Sequence, residues 1–271
     1  MLIYLFKLIL FSQSFIINTK ENFQTEINFI NYTFTDMNNC VIEINSNYSL
    51  YISNSTFISN KGDLNNPGAI KSSGIGSTII LNTNFTKNTG ISKGGAVYLD
   101  VETVEIRYCF FTSNICSNSQ NLNNDESNGG GIFLKYKSGC ELIIDSCFFK
   151  ENEASTSGGS IFIHFYSENE IDFNSKIRIT NCQFLSSLAN VSGGAIYDFH
   201  EKEVDINSTD IENCLFKSCF STNGGAIFYD DAINKKIIYN CTFENDTAIK
   251  EGGGIYAKSN LIDLLESNFA F

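Results

Sequence analysis

Apolar and polar residues alternate in short runs, and the runs return along the chain. Ile177 and Ile179 lead into Asn181-Cys182-Gln183-Phe184, Ile211 into Asn213-Cys214-Leu215-Phe216, and Ile238 into Asn240-Cys241-Thr242-Phe243. Earlier copies read Asn31-Tyr32-Thr33-Phe34, Asn54-Ser55-Thr56-Phe57 and Asn82-Thr83-Asn84-Phe85. A period of two is that of a strand with one face inward. Ile179 and Asn181 share one parity, whereas Cys182 and Phe184 share the other. A straight strand would therefore put the aliphatic residue and the ring on opposite faces. Both reach one core only if the chain bends at Asn, a residue that tolerates the left-handed conformation. Stacked in register, these Asn residues predict a ladder of side-chain amides.

A second signature alternates with the first. It reads Gly94-Gly95-Ala96-Val97-Tyr98, Gly129-Gly130-Gly131-Ile132-Phe133, Gly158-Gly159-Ser160-Ile161-Phe162, Gly193-Gly194-Ala195-Ile196-Tyr197, Gly224-Gly225-Ala226-Ile227-Phe228 and Gly252-Gly253-Gly254-Ile255-Tyr256. A degenerate copy stands at Pro67-Gly68-Ala69-Ile70. The copies start 28 to 35 residues apart. A fixed period in that range means stacked supersecondary units. No segment holds a 3.6-residue period over three turns, so no major helix is expected. Parallel strands need a wide return connection, and a coil wound back on itself supplies one without helices. The prediction is an all-β, single-stranded parallel β-helix, a solenoid that is right-handed by the usual crossover preference. One coil is strand, Asn bend, strand, loop, Gly-Gly bend, strand. About eight coils stacked ~4.8 Å apart give a rod roughly 40 Å long.

Composition agrees and narrows the partners. Pro occurs once, Trp never, and Phe 24 times in 271 residues, which suits strands. A formal charge of −12 disfavours nucleic acid or an anionic membrane face as partner. Met1 to Phe11 is apolar apart from Lys7 and is followed by Ser12-Gln13-Ser14, the pattern of a signal peptide spanning residues 1–14. The β-helix then occupies residues 15–271. Asn-x-Ser/Thr sequons at Asn31, Asn47, Asn54, Asn84, Asn190, Asn207, Asn240 and Asn245 fit export and glycosylation. No later stretch reaches about 18 uninterrupted apolar residues, so no transmembrane segment is expected.

Few residues offer chemistry. Cys109, Cys147, Cys182, Cys214 and Cys241 each precede a Phe of the first signature by two and are expected to stack inside as small hydrophobes. Disulfides between coils remain open, because the coil spacing lies inside the allowed Cα range. Cys214/Cys219 and Cys140/Cys147 are further pairs. No Cys-x-x-Cys occurs, so neither a metal nor any other cofactor is expected. Asp100, Asp198, Asp230 and Asp231 follow Gly-Gly signatures and could line one outer, solvated face. His164 and His200 are read as surface or loop residues, and no catalytic set can be drawn from them. The residues after each Gly-Gly are more informative. Val97, Ile132, Ile161, Ile196, Ile227 and Ile255 take the inward parity. Tyr98, Phe133, Phe162, Tyr197, Phe228 and Tyr256 take the outward one, and an outer aromatic ladder is a candidate surface for sugar rings or a protein partner.

The alternation of Gly-Gly-Ala-Ile with Phe-x-x-Asn resembles the polymorphic outer membrane protein repeats of chlamydiae and their relatives among trichomonad surface proteins. Phe-x-x-Asn stands here as Phe57/Asn60, Phe85/Asn88, Phe111/Asn114 and Phe149/Asn152, and Ser187, Cys219 and Asp246 replace the Asn in later copies. The resemblance implies a secreted or surface-exposed right-handed β-helix of the pectin-lyase-like kind, associated with adhesion to a host-cell surface protein or glycan. The chain stops inside another Asn-x-x-Phe unit at Phe271, which reads as a truncated copy of an anchored protein. The leading expectation is therefore a non-enzymatic, adhesin-like β-helix with recognition loops at Ser117–Asn128 and Glu168–Lys176. The alternatives are a polysaccharide lyase or glycoside hydrolase on the same scaffold, and a passive structural repeat or gene fragment.

Overall fold

The computed structural model describes residues 15–17 (backbone only), 26–118, 127–137, 139–166, 175–200, 209–230, 235–258 and 262–270. The signal-peptide expectation lies outside these residues. So do most of both expected recognition loops.

Among the described residues all strands pair in parallel and in sequence order, in three sheets of nine strands and one of six. One coil shows the plan. Lys176–Thr180 belongs to sheet I, Gln183–Leu185 to sheet II, Leu188–Ala189 to sheet III and Ile196–His200 to sheet IV. Each strand pairs with its equivalent one coil on. The chain is a parallel β-helix, and no helix long and apolar enough to cross a membrane occurs among the described residues.

Bends with positive φ make the corners. The expected Asn bend is present, with φ of 61° at Asn31, 54° at Asn181, 54° at Asn213 and 49° at Asn240. Tyr108 (55°), Ser146 (52°) and Glu266 (50°) fill the same corner in other coils. A second left-handed corner follows the Phe, at Ser59, Lys87, Ser113, Glu151, Ser186, Ser218 and Asn245. It divides what reads in sequence as a loop, and creates the short sheet III. The Gly-Gly corner has two separate reasons. Gly193 sits at φ 63°, and a Cβ on Gly194 would collide with the carbonyl oxygen of Gly225 in the next coil.

The interior consists of columns. Phe34, Phe57, Phe85, Phe111, Phe149, Phe184, Phe216, Phe243 and Phe269 stack along sheet II with centroids 4.7–5.1 Å apart. All but Phe269 are buried. The five expected cysteines stack beside them, and all nine cysteines are buried and free, so none of the foreseen disulfides is formed. Cys147 and Cys182 donate their backbone N–H groups to the sulfurs of Cys182 and Cys214 (3.4 Å each).

The amide ladder is real but belongs to the other Asn set. Asn60 donates from Nδ2 to Asn88 Oδ1 (2.9 Å), Asn88 to Asn114 (3.0 Å) and Asn114 to Asn152 (3.0 Å). Each amide also donates to the carbonyl of a Phe one coil back. These four Asn are fully buried, so satisfying every polar atom is what permits them there. Of the corner set, Asn240 donates to Asn213 (2.8 Å), whereas Asn181 turns to Asp145 (2.8 Å). Corner side chains face water and need no such partner, which is why that ladder does not run on.

Candidate functional site

Sheet IV carries the expected aromatic column on its outer side. In-register pairing places Tyr98 beside Phe133, Phe133 beside Phe162, Phe162 beside Tyr197, Tyr197 beside Phe228 and Phe228 beside Tyr256. Successive centroids are 4.9–5.5 Å apart. The six rings form one stack. Exposure along it is uneven: Phe133, Phe162 and Phe228 are 2–5% exposed, whereas Tyr98, Tyr197 and Tyr256 are half-buried. Stacking closes the phenyl faces, and the solvent-facing surface is the tyrosines.

A row of residues, polar except for Phe199, flanks the stack two positions further along each strand. Lys135, His164, Phe199 and Asp230 follow one another in register, and Asp100 and Lys258 extend the row at its two ends. Tyr197 donates to Asp230 Oδ2 at 2.5 Å, and Lys258 pairs with the same carboxylate. At the other end Tyr98 and Tyr166 both donate to Asp100 (3.4 and 3.2 Å), and Lys135 Nζ lies 3.9 Å above the Tyr166 ring. Burial, then the adjacent Asp100, push the Tyr98 phenol well above its ordinary pKa, so it stays a protonated donor. Next to this end lies a groove of about 190 Å³ lined by Gly74, Ile75, Asp100, Val101, Lys137, Cys140 and Tyr166. Half-buried tyrosine rings rimmed by carboxylates and ammonium groups are suited to apolar contact with a ligand ring and hydrogen bonds at the rim.

The acidic face is not as expected. Asp100 and Asp230 do lie outside, but four strand spacings apart, roughly 19 Å at ~4.8 Å each. A glycosidase needs its two carboxylates within about 5–9.5 Å. Asp231 lies outside the described residues. Asp198 is inside the solenoid at 0% exposure, and His200 is buried there as well rather than on a surface or loop. Asp198 shares the inward parity of Ile196, and its burial is allowed by Lys236, His200 and Thr209, all of which contact its carboxylate. Burial opposes its charge, but Lys236 and then His200 hold the carboxyl well below the usual range. His164 is half-buried against Phe199, with centroids 5.2 Å apart.

A model of the Chlamydia polymorphic membrane protein (Pmp) repeat matches residues 82–100. That stretch runs from the Asn82 corner through Phe85, Asn88 and Gly94-Gly95 to the outer residues Tyr98 and Asp100. The chain carries a Pmp-type repeat. Probable autotransporter YfaL of Escherichia coli (strain K12) is 30% identical over 196 residues, which are 65% of this chain and 14% of that protein. The chain thus spans about one seventh of that relative's length. No solved structure matches.

The Pmp-type repeat explains the ladders, because its Phe and Asn are the two buried columns. It says nothing about Lys236, the residue that sequence reasoning missed. Lys236 stands two residues before Ile238 and so has the parity of the inward column. Tyr166, which closes the groove over Asp100, was also unforeseen.

Proposed function

We propose that the chain is an adhesin-like β-helix, displayed at or secreted from the cell surface, that binds glycan-bearing ligands through the outer face of sheet IV rather than transforming them. The continuous stack of six aromatic rings bordered by Asp100, Lys135, Asp230 and Lys258 carries this reading. Tyr98, Tyr197 and Tyr256 supply the accessible rings, and the two carboxylates accept sugar hydroxyls at either end. The match to the Pmp repeat and the likeness to a probable autotransporter support a surface location and a non-enzymatic passenger.

The test is a glycan array together with a host-cell binding assay on residues 15–271, comparing the parent with Tyr98→Ala/Tyr197→Ala/Phe228→Ala. Loss of binding with an unchanged far-ultraviolet strand signature is the expected result. Full binding by the triple variant would remove the aromatic face from consideration and direct attention to the loops.

A further inference from the structure

Two columns of largely aliphatic side chains face each other across the interior from sheets IV and I, and one buried charge interrupts each. Asp198 follows Leu99, Leu134 and Ile163 in sheet IV. Lys236 follows Val104, Leu142, Ile177 and Thr209 in sheet I. Both side chains are 0% exposed, with Lys236 Nζ 2.9 Å from Asp198 Oδ2. His200 Nε2 lies 3.1 Å from Oδ1, and Thr209 donates its hydroxyl to Oδ2 at 3.2 Å. Thr209 Oγ1 is also 3.5 Å from Nζ, and the Tyr229 ring lies 5.2 Å from Nζ. An amine, a carboxyl group and two groups that exchange protons are thus confined together, out of contact with bulk water.

We propose that Lys236 and Asp198 condense to an intramolecular isopeptide bond that ties sheet I of one coil to sheet IV two coils earlier. The resting pair is ionic, and condensation begins from its neutral tautomer, which a dry interior makes accessible. A proton passes from Nζ to Oδ2, leaving an amine and a carboxylic acid. The Nζ lone pair attacks Cγ, a C–N bond forms, and the charge that develops on Oδ1 faces His200 Nε2. Thr209 Oγ1, within reach of both atoms, relays a second proton from Nζ to Oδ2. The Cγ–Oδ2 bond then breaks and one water leaves. Ammonium and carboxylate become amide and water, so no oxidant or cofactor takes part. Fixed proximity replaces the activation that amide formation ordinarily needs, and the neutral product removes two buried charges.

Mass spectrometry of the full chain decides the matter without any variant. The denatured protein is expected to weigh one water less than its sequence. Proteolysis is expected to yield a branched peptide joining the segment with Asp198 to the segment with Lys236. Recovery of both segments only as linear peptides overturns the proposal, and so does a loss of water without that branch. Lys236→Arg, which keeps the cation without the nucleophile, is expected to restore the full mass. Thr209→Val is expected to slow the appearance of the branch after refolding, and a branch formed at the parental rate would remove the relay.

Discussion

The Phe column of sheet II and the aromatic column of sheet IV have nearly the same pitch, 4.7–5.1 Å against 4.9–5.5 Å between successive rings. Strand spacing sets that pitch in both, so stacking distance alone does not distinguish a core from a binding face. Surroundings do. The sheet II rings lie beside the Asn amides and the Cys sulfurs, and every described copy is Phe. The sheet IV column accepts Phe or Tyr, and its hydroxyls engage carboxylates at Asp100 and Asp230.

Removing one ring from each column sharpens the contrast. Phe184→Ala is expected to cost about 3–5 kcal/mol in denaturant unfolding, because the void is enclosed by neighbouring coils. The amide ladder comes next. Asn114→Leu removes the acceptor of the Asn88 backbone and side-chain N–H groups and the side-chain donor to the Phe85 carbonyl, and about 2–3 kcal/mol should be lost by the same measurement.

Asp246 tests the end of that buried column. It takes the ladder position of Asn152, and its Oδ1 accepts the Cys219 N–H at 2.8 Å. Its Oδ2 is buried and has no hydrogen-bond partner among the described residues. Burial raises its pKa to about 6, so the folded state favours the protonated acid. The stability tied to that proton is complete below about pH 4 and disappears as pH rises through about 6. Asp246→Asn should therefore gain about 2 kcal/mol at neutral pH and little below pH 4, read from thermal unfolding across pH. A pH-independent gain would mean that ionisation of Asp246 is not the cause.

The smallest expected stability effect belongs to the outer column. Tyr197→Ala should cost about 1 kcal/mol, while ligand binding falls by far more than that stability change explains. A loss as large as that of Phe184→Ala would erase the distinction between the two columns.

Much of this architecture was legible in the sequence because local rules repeat. Asn marked the first corner, Gly-Gly the last, and parity after Gly-Gly separated Ile196 from Tyr197. The second corner was hidden because Ser, which fills it at Ser59, Ser113, Ser186 and Ser218, is replaced by Lys87, Glu151 and Asn245 in other coils and marks no bend by itself. Register with neighbouring coils, rather than propensity, holds them at positive φ. The ladder was placed on the wrong Asn set for a related reason: sequence shows recurrence, while burial decides which recurring amides must bond to one another. Asp198 and Lys236 were obscured most. A charge reads as surface unless its partner is known, and here the partner lies 38 residues away.

The amide ladder has a direction, since Asn60, Asn88 and Asn114 each donate to the Asn of the next coil and none donates backward to another Asn. Under tension along the rod, coils held only by neighbours would peel away one at a time. Such a body would yield in small equal steps and lengthen without failing at once. The unbroken ladder from Asn60 to Asn152 would give its stretch a tougher grip than the coils at Ser187 and Cys219, where the chain of amides lapses.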